Sequence, residues 1–148
     1  MYEPIRTKSV HSTMAGTTSD FPHRSREEEL DIQLAGHLAA LLATTDELRA
    51  MAPSADLDTA AERLAGQVTR LRAGRAPVRA SVTAAAVGQD PGEAAALHQR
   101  AHALAGRALV VAASRADTAA AILAAERMDA HAAAAERGEH QELSGAAS

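Results

Sequence analysis

Two histidines one helical turn apart are the side chains best suited to chemistry in this sequence. His98 and His102 are four residues apart in a stretch of helix-forming residues, so both rings project from one helix face. That spacing lets two imidazoles reach one metal ion, and His37, which lies between leucines on an earlier helix, is a candidate third ligand. No Glu or Asp lies between residues 94 and 116 to complete such a site. The sequence therefore favours ordinary structural histidines and leaves metal binding as an alternative.

The residues around His102 also form a short motif. Its matching positions are Ala101, His102, Leu104 and Gly106. The motif resembles the phosphoacceptor helix of histidine-containing phosphotransfer domains, which are helical bundles that carry Ala-His-x-Leu-Lys-Gly. The resemblance implies that His102 is phosphorylated by a response-regulator partner. Ala105 stands where that family has its lysine, and the nearest cations are Arg100 and Arg107.

Other signatures of catalysis are absent from the sequence. The chain contains no cysteine, which excludes disulfides, a thiolate nucleophile and a cysteine-based zinc site. It contains no glycine-rich phosphate loop, no Gly-x-Ser-x-Gly motif and no His-Glu-x-x-His motif. We therefore expect a protein that is not an enzyme and that needs no cofactor.

The charge pattern excludes further classes. The net charge is -4 and the pI is about 5.9, so no overall positive field attracts nucleic acid. A row of arginines between Arg63 and Arg79 is expected to be solvated or ion-paired, because no aromatic residue accompanies it for base stacking. No run of eighteen apolar residues predicts a membrane span, and no apolar signal segment is present. Lys8 is the only lysine, a bias typical of GC-rich bacteria, and we expect a cytoplasmic protein.

Helix signals predict an all-α antiparallel bundle of three to four helices. Ser25 and Glu28 form a capping box before a helix that should end near Met51, ahead of Pro53. A second helix should begin at Ser54 or Asp56 and end by Gly74, and a short third helix is predicted over Val78–Val87.

The stretch from Asp90 to Gly138 should dominate the fold. It begins with a cap and Pro91 and then continues without proline, which predicts one helix roughly 70 Å long. Its apolar stripe places Leu104 in the core, where truncation to Ala should cost about 2–5 kcal/mol. The alternative is a break near Ser114. Ile122 and Leu123 should stay exposed on so long a helix, and such apolar surface predicts self-association, most simply as a dimer.

The chain then divides into three parts. Residues 1–24 are expected to form a flexible tail that either stays solvated or docks on a partner protein through Tyr2 and Phe21. Residues 25–138 are expected to form the bundle, and residues 139–148 to fray. The function that fits best is a small interaction or regulatory protein that acts through protein contacts. The phosphotransfer module and the metal-binding bundle are its alternatives.

Overall fold

The computed structural model describes residues 24–79 and 91–147, which form an all-α bundle. Its helices are α1 (Arg26–Met51), α2 (Ala55–Leu71), α3 (Pro91–Arg115) and α4 (Thr118–Ala147). Helix α1 packs against α2 and α3, α3 packs against α4, and α4 touches α2 more lightly. The predicted all-α bundle is confirmed. No helix within these described ranges is long and apolar enough to cross a membrane.

Several predictions fall on residues outside those ranges. The tail residues Tyr2 and Phe21 belong to the first such segment, and Asp90 to the second. Most of the predicted third helix also lies there, although Val78 and Arg79 are described and are not helical. At the other end of the chain, α4 stays helical past Gly138 as far as Ala147.

Local capping explains where the first two helices begin. The Ser25 hydroxyl accepts from the Glu28 backbone N–H at 3.1 Å, and the Glu28 carboxylate accepts from the Ser25 N–H at 2.8 Å. The Ser54 hydroxyl likewise accepts from the Leu57 N–H at 3.1 Å. These contacts confirm the predicted caps. Only residues 52–54 join the two helices, so they form an antiparallel hairpin.

The single long helix predicted over 90–138 is wrong, because the chain reverses at Ala116. This residue takes a left-handed conformation (φ 60°), and its N–H donates to the Ala113 carbonyl at 3.1 Å. The Asp117 N–H donates to the Ala112 carbonyl at 2.9 Å. Together these bonds close the end of α3 as a Schellman motif does, with alanine where glycine is usual.

Asp117 then starts α4. Its Oδ1 accepts from the Ala120 N–H at 3.2 Å, and its Oδ2 accepts from Arg70 of α2 at 2.8 Å. The break expected near Ser114 as the alternative is therefore confirmed: the chain reverses two residues later, at Ala116, and the new helix runs from Thr118. Ser114 itself is still inside α3, where its hydroxyl donates to the Val110 carbonyl at 3.0 Å.

Ion pairs between helices show their directions. Arg115 lies 3.0 Å from Asp31 and Arg100 lies 3.6 Å from Glu47, so α1 and α3 are antiparallel. The α1–α2 turn and the start of α3 therefore share one end of the bundle. The α3–α4 turn lies at the opposite end.

Three members of the arginine row form ion pairs with other parts of the bundle. Arg63 bonds to Glu126 and Arg70 to Asp117, both at 2.8 Å, so α2 and α4 are also antiparallel. Arg79 bonds to the buried Asp46 of α1 at 2.8 Å. Burial alone would raise the pKa of Asp46, but hydrogen bonds from Arg79 and then Arg49 hold it below its usual value. The ion pair between Arg79 and Asp46 therefore holds the segment after α2 against α1.

Alanines, rather than the predicted leucine stripe, form the centre of the α3–α4 interface. Leu104 is only half-buried at its edge. Leu123, which we expected to be exposed, is buried in the core, because the reversal at Ala116 folds α4 back onto α3. We call the fully buried alanines of this interface the alanine seam: Ala101, Ala105, Ala108, Ala112, Ala120 and Ala124.

Candidate functional site

A buried polar cluster lies at the end of the bundle that holds the α1–α2 turn. His131 and Arg127 are four residues apart on α4 and follow the buried face that begins with Ala120 and Ala124. The Nδ1 atom of His131 lies 2.9 Å from Nδ1 of His98 on α3, and the ring centroids are 5.2 Å apart. The structure therefore pairs His98 with His131, and not with His102 as its sequence spacing suggested.

The contacts of the two rings assign one tautomer to each. Arg127 Nη2 can only donate, so the His131 Nε2 atom 3.4 Å away accepts. His131 then carries its proton on Nδ1 and donates to Nδ1 of His98. His98 in turn carries its proton on Nε2, on the opposite side of its ring. A chain of donors thus runs from the arginine through both imidazoles and ends in an N–H of His98.

Both rings of the pair are neutral near pH 7. Burial is the first cause that lowers the pKa of His131, to about 4, and the positive charge of Arg127 is the next. Burial also lowers the pKa of His98, aided by the charges of Arg137 and Arg127. A protonated ring would place a second positive charge beside a buried guanidinium.

Arg127 is incompletely satisfied despite its burial. It is 5% exposed, and its Nη1 lies 3.3 and 3.2 Å from the two carboxylate oxygens of Asp56. These distances are long for a charge-assisted hydrogen bond, which is usually nearer 2.7–2.9 Å. The Asp56 side chain is 67% exposed, so water weakens the pair further. The Nε atom of Arg127 is buried and has no hydrogen-bond partner among the described residues.

A cavity of about 340 Å³ adjoins this cluster. Its apolar wall includes Leu48, Met51 and Leu57. A neighbouring groove of about 510 Å³ shares the walls formed by His98 and Arg137. We call the first space the Arg127 cavity, whose polar lining is Ser54, Asp56, His98, Arg127, His131 and Arg137.

The other two candidate histidines, His102 and His37, do not take part in the hydrogen bonds of this cluster. The Nδ1 of His102 lies 3.2 Å from the Met128 carbonyl oxygen, and the ring is half-buried between α3 and α4. His37 is half-buried on α1. In the described residues, no group of three or more His, Asp or Glu side chains is arranged to hold a metal ion. His37, His98 and His102 therefore do not assemble into the metal centre that the sequence left open.

The two interface candidates on α4 differ in their exposure to solvent. Ile122 is 52% exposed, whereas its neighbour Leu123 is buried. The cluster residues Arg127, His131 and Asp56 were not predicted from the sequence. The signal that the sequence does carry is the spacing of Arg127 and His131, which are four residues apart on one face of α4. Comparisons of the chain with protein-family models, with curated proteins and with solved structures find no match.

Proposed function

We propose that the protein is a non-enzymatic interaction or regulatory protein, and that it first binds a second copy of itself. The observation that carries the proposal is Ile122, which is 52% exposed beside an alanine-lined groove at the α3–α4 turn. We call this face the junction surface: Ala112, Ala113, Ala116, Asp117, Thr118, Ala121, Ile122 and Ala125. We propose that this interaction takes place in the cytoplasm.

The junction surface is suited to a symmetric contact. It holds both a projecting side chain, Ile122, and a groove with a volume of about 380 Å³. Rotation about a two-fold axis would therefore bring the isoleucine of each copy to the groove of the other. The small alanine side chains around it allow helices to approach closely.

Charge does not oppose this contact. Within the described residues, Asp117 is the only charged side chain that lines the groove, and it already accepts from Arg70 and caps α4. Val110, five residues before the end of α3, is a second large apolar side chain exposed to solvent. Exposed apolar surface beside a shaped groove is typical of a protein interface.

Replacing Ile122 with Arg should convert a dimer to a monomer. The substitution places a charge where the proposed interface requires an apolar side chain, whereas in the monomer the new side chain stays in water. Sedimentation velocity over a wide concentration range measures the change, and thermal unfolding by circular dichroism checks the fold. Ile32→Arg is the matched control, because Ile32 is also half exposed but lies on α1. A wild-type chain that stays monomeric throughout, or a dimer that tolerates Ile122→Arg, would contradict the proposal.

Phosphotransfer through His102 is the second candidate function. Because the Met128 carbonyl can only accept, the His102 Nδ1 atom carries the ring proton and Nε2 keeps its lone pair. Nε2 is then the nucleophile: it would form an N–P bond with an acyl phosphate while the P–O bond breaks and the carboxylate leaves.

Incubation with acetyl phosphate should therefore label the wild-type chain on histidine if this candidate is right. The phosphoramidate is measured by phosphorus NMR under alkaline conditions, where it is stable. Labelling should disappear in His102→Gln and persist in His140→Gln, a control at an exposed position on α4. An unlabelled wild-type chain, or equal labelling of both variants, would exclude His102 as the phosphoacceptor.

A further inference from the structure

We propose that the Arg127 cavity binds a small monocarboxylate with a short apolar substituent. The site lies at the opposite end of the bundle from the junction surface, so it does not depend on self-association. It combines a buried cation that lacks a full set of partners, a directed chain of N–H donors and an apolar wall.

The strongest argument is the state of Arg127. A guanidinium that is 5% exposed normally uses its five N–H donors in short bonds, yet within residues 24–79 and 91–147 Nε has no partner and Asp56 is held only at 3.2–3.3 Å. An unsatisfied buried donor costs free energy that a bound acceptor recovers. A carboxylate matches the planar fork of arginine better than the solvent-exposed Asp56 does in this arrangement.

The histidine pair supplies a further donor. Since His131 donates to His98, the free N–H of the chain is on Nε2 of His98, and His98 lines both the cavity and the neighbouring groove. Arg127 keeps the chain in this direction, because its guanidinium can only donate hydrogen bonds and cannot accept one from His131. A ligand with acceptor oxygens therefore suits the site better than a cation.

The charge balance favours a single negative charge. Arg127 and Arg137 come from α4, Asp56 comes from α2, and the cavity residues of α1 and α3 carry no charge at neutral pH. Arg137 forms no ion pair with any described residue. The site thus has one surplus positive charge, which a monoanion neutralises, whereas the second charge of phosphate would meet Asp56.

The apolar wall selects among monoanions. Leu48, Met51 and Leu57 face the cavity from the α1–α2 hairpin and offer no hydrogen bonds. An aliphatic chain of a few carbons would displace water from these side chains and so strengthen binding. Acetate lacks that chain, so it should bind more weakly than butyrate.

Titration of the full chain with butyrate at neutral pH tests the proposal. The ring C–H signals of His98 and His131 should shift and saturate in carbon–proton NMR spectra, while those of His37 and His140 should not. Acetate should need higher concentrations, and inorganic phosphate should give no saturation. Shifts that never saturate with butyrate, or phosphate that binds as well as butyrate, would overturn the proposal.

Two arginine variants locate the carboxylate. Arg127→Gln should weaken butyrate binding about tenfold or more, because it removes the charge-assisted hydrogen bonds. Arg107→Gln is the matched control on the exposed face of α3 and should bind as the wild type does. If circular dichroism shows that Arg127→Gln has unfolded, Arg137→Gln decides, since Arg137 is exposed and its loss should still weaken binding severalfold. Unchanged affinity in the folded variant would contradict the assignment.

Discussion

Replacing Leu38 with Ala should lower the free energy of unfolding by about 3–5 kcal/mol. Leu38 is fully buried at the centre of α1, in the core cluster formed with leucines of α1 and α2. Truncation removes apolar contacts and leaves a cavity between helices whose backbones cannot close the gap. The loss should be large because much of the remaining core is alanine, which offers few atoms to move into the space.

Urea unfolding followed by circular dichroism measures this loss, with two leucine positions for comparison. Leu143→Ala should change the free energy by no more than about 0.5 kcal/mol, because Leu143 is 69% exposed on α4. Leu104→Ala should fall between the two, since Leu104 is only half-buried at the edge of the alanine seam. Equal effects at Leu38 and Leu104 would show that the core is centred on the leucine stripe of α3 after all.

Acidification should destabilise the fold before the carboxylates titrate. The pKa of His131 is lowered from 6.5 to about 4, so between these values the unfolded chain binds a proton that the folded chain excludes. The contribution of His131 to stability is therefore fully present above pH 6.5 and is lost as the pH falls towards 4. Once His131 is protonated in both the folded and the unfolded chain, the free energy of unfolding is lower by roughly 3 kcal/mol. His98 acts in the same direction, because its pKa is also lowered.

The pH dependence of urea unfolding separates His131 from other groups. His131→Gln should reduce the slope between pH 6.5 and about pH 4, whereas the exposed control His140→Gln should keep it. Asp46 acts at lower pH, because its arginine partners hold its pKa below 3.8. A wild-type stability that is flat across the histidine range would mean that burial and the charge of Arg127 do not lower the pKa of His131 in solution.

The parts of the fold that the sequence predicts correctly depend on contacts between near neighbours. Ser25 and Glu28 cap α1 across three residues, and Ser54 caps α2 in the same way. The reversal at Ala116 has a weaker signal: Asp117 caps α4 across three residues, but alanine favours a continuing helix and neither glycine nor proline marks the turn, so a break near Ser114 is only the alternative. Besides its local hydrogen bonds, the reversal is stabilised by distant contacts, in which Asp117 accepts from Arg70 and Leu123 enters the core.

The polar cluster could not be predicted for a related reason. The buried face of α4 depends on where the chain reverses. The sequence does not specify that position, so it does not show that Arg127 and His131 are buried. Asp56 lies 71 residues before Arg127 and follows a different turn. Helical spacing linked His98 to His102, but the fold of α4 brings His131 to His98 instead.

The alanine seam also sets how stability responds to temperature. Heat capacity rises on unfolding mainly because apolar surface becomes hydrated, and each alanine of the seam exposes little such surface compared with a leucine. The heat-capacity change of unfolding should therefore lie below the usual value of about 12–15 cal/mol/K per residue. A smaller change flattens the stability curve, so the bundle keeps a larger fraction of its maximum stability on both cooling and warming.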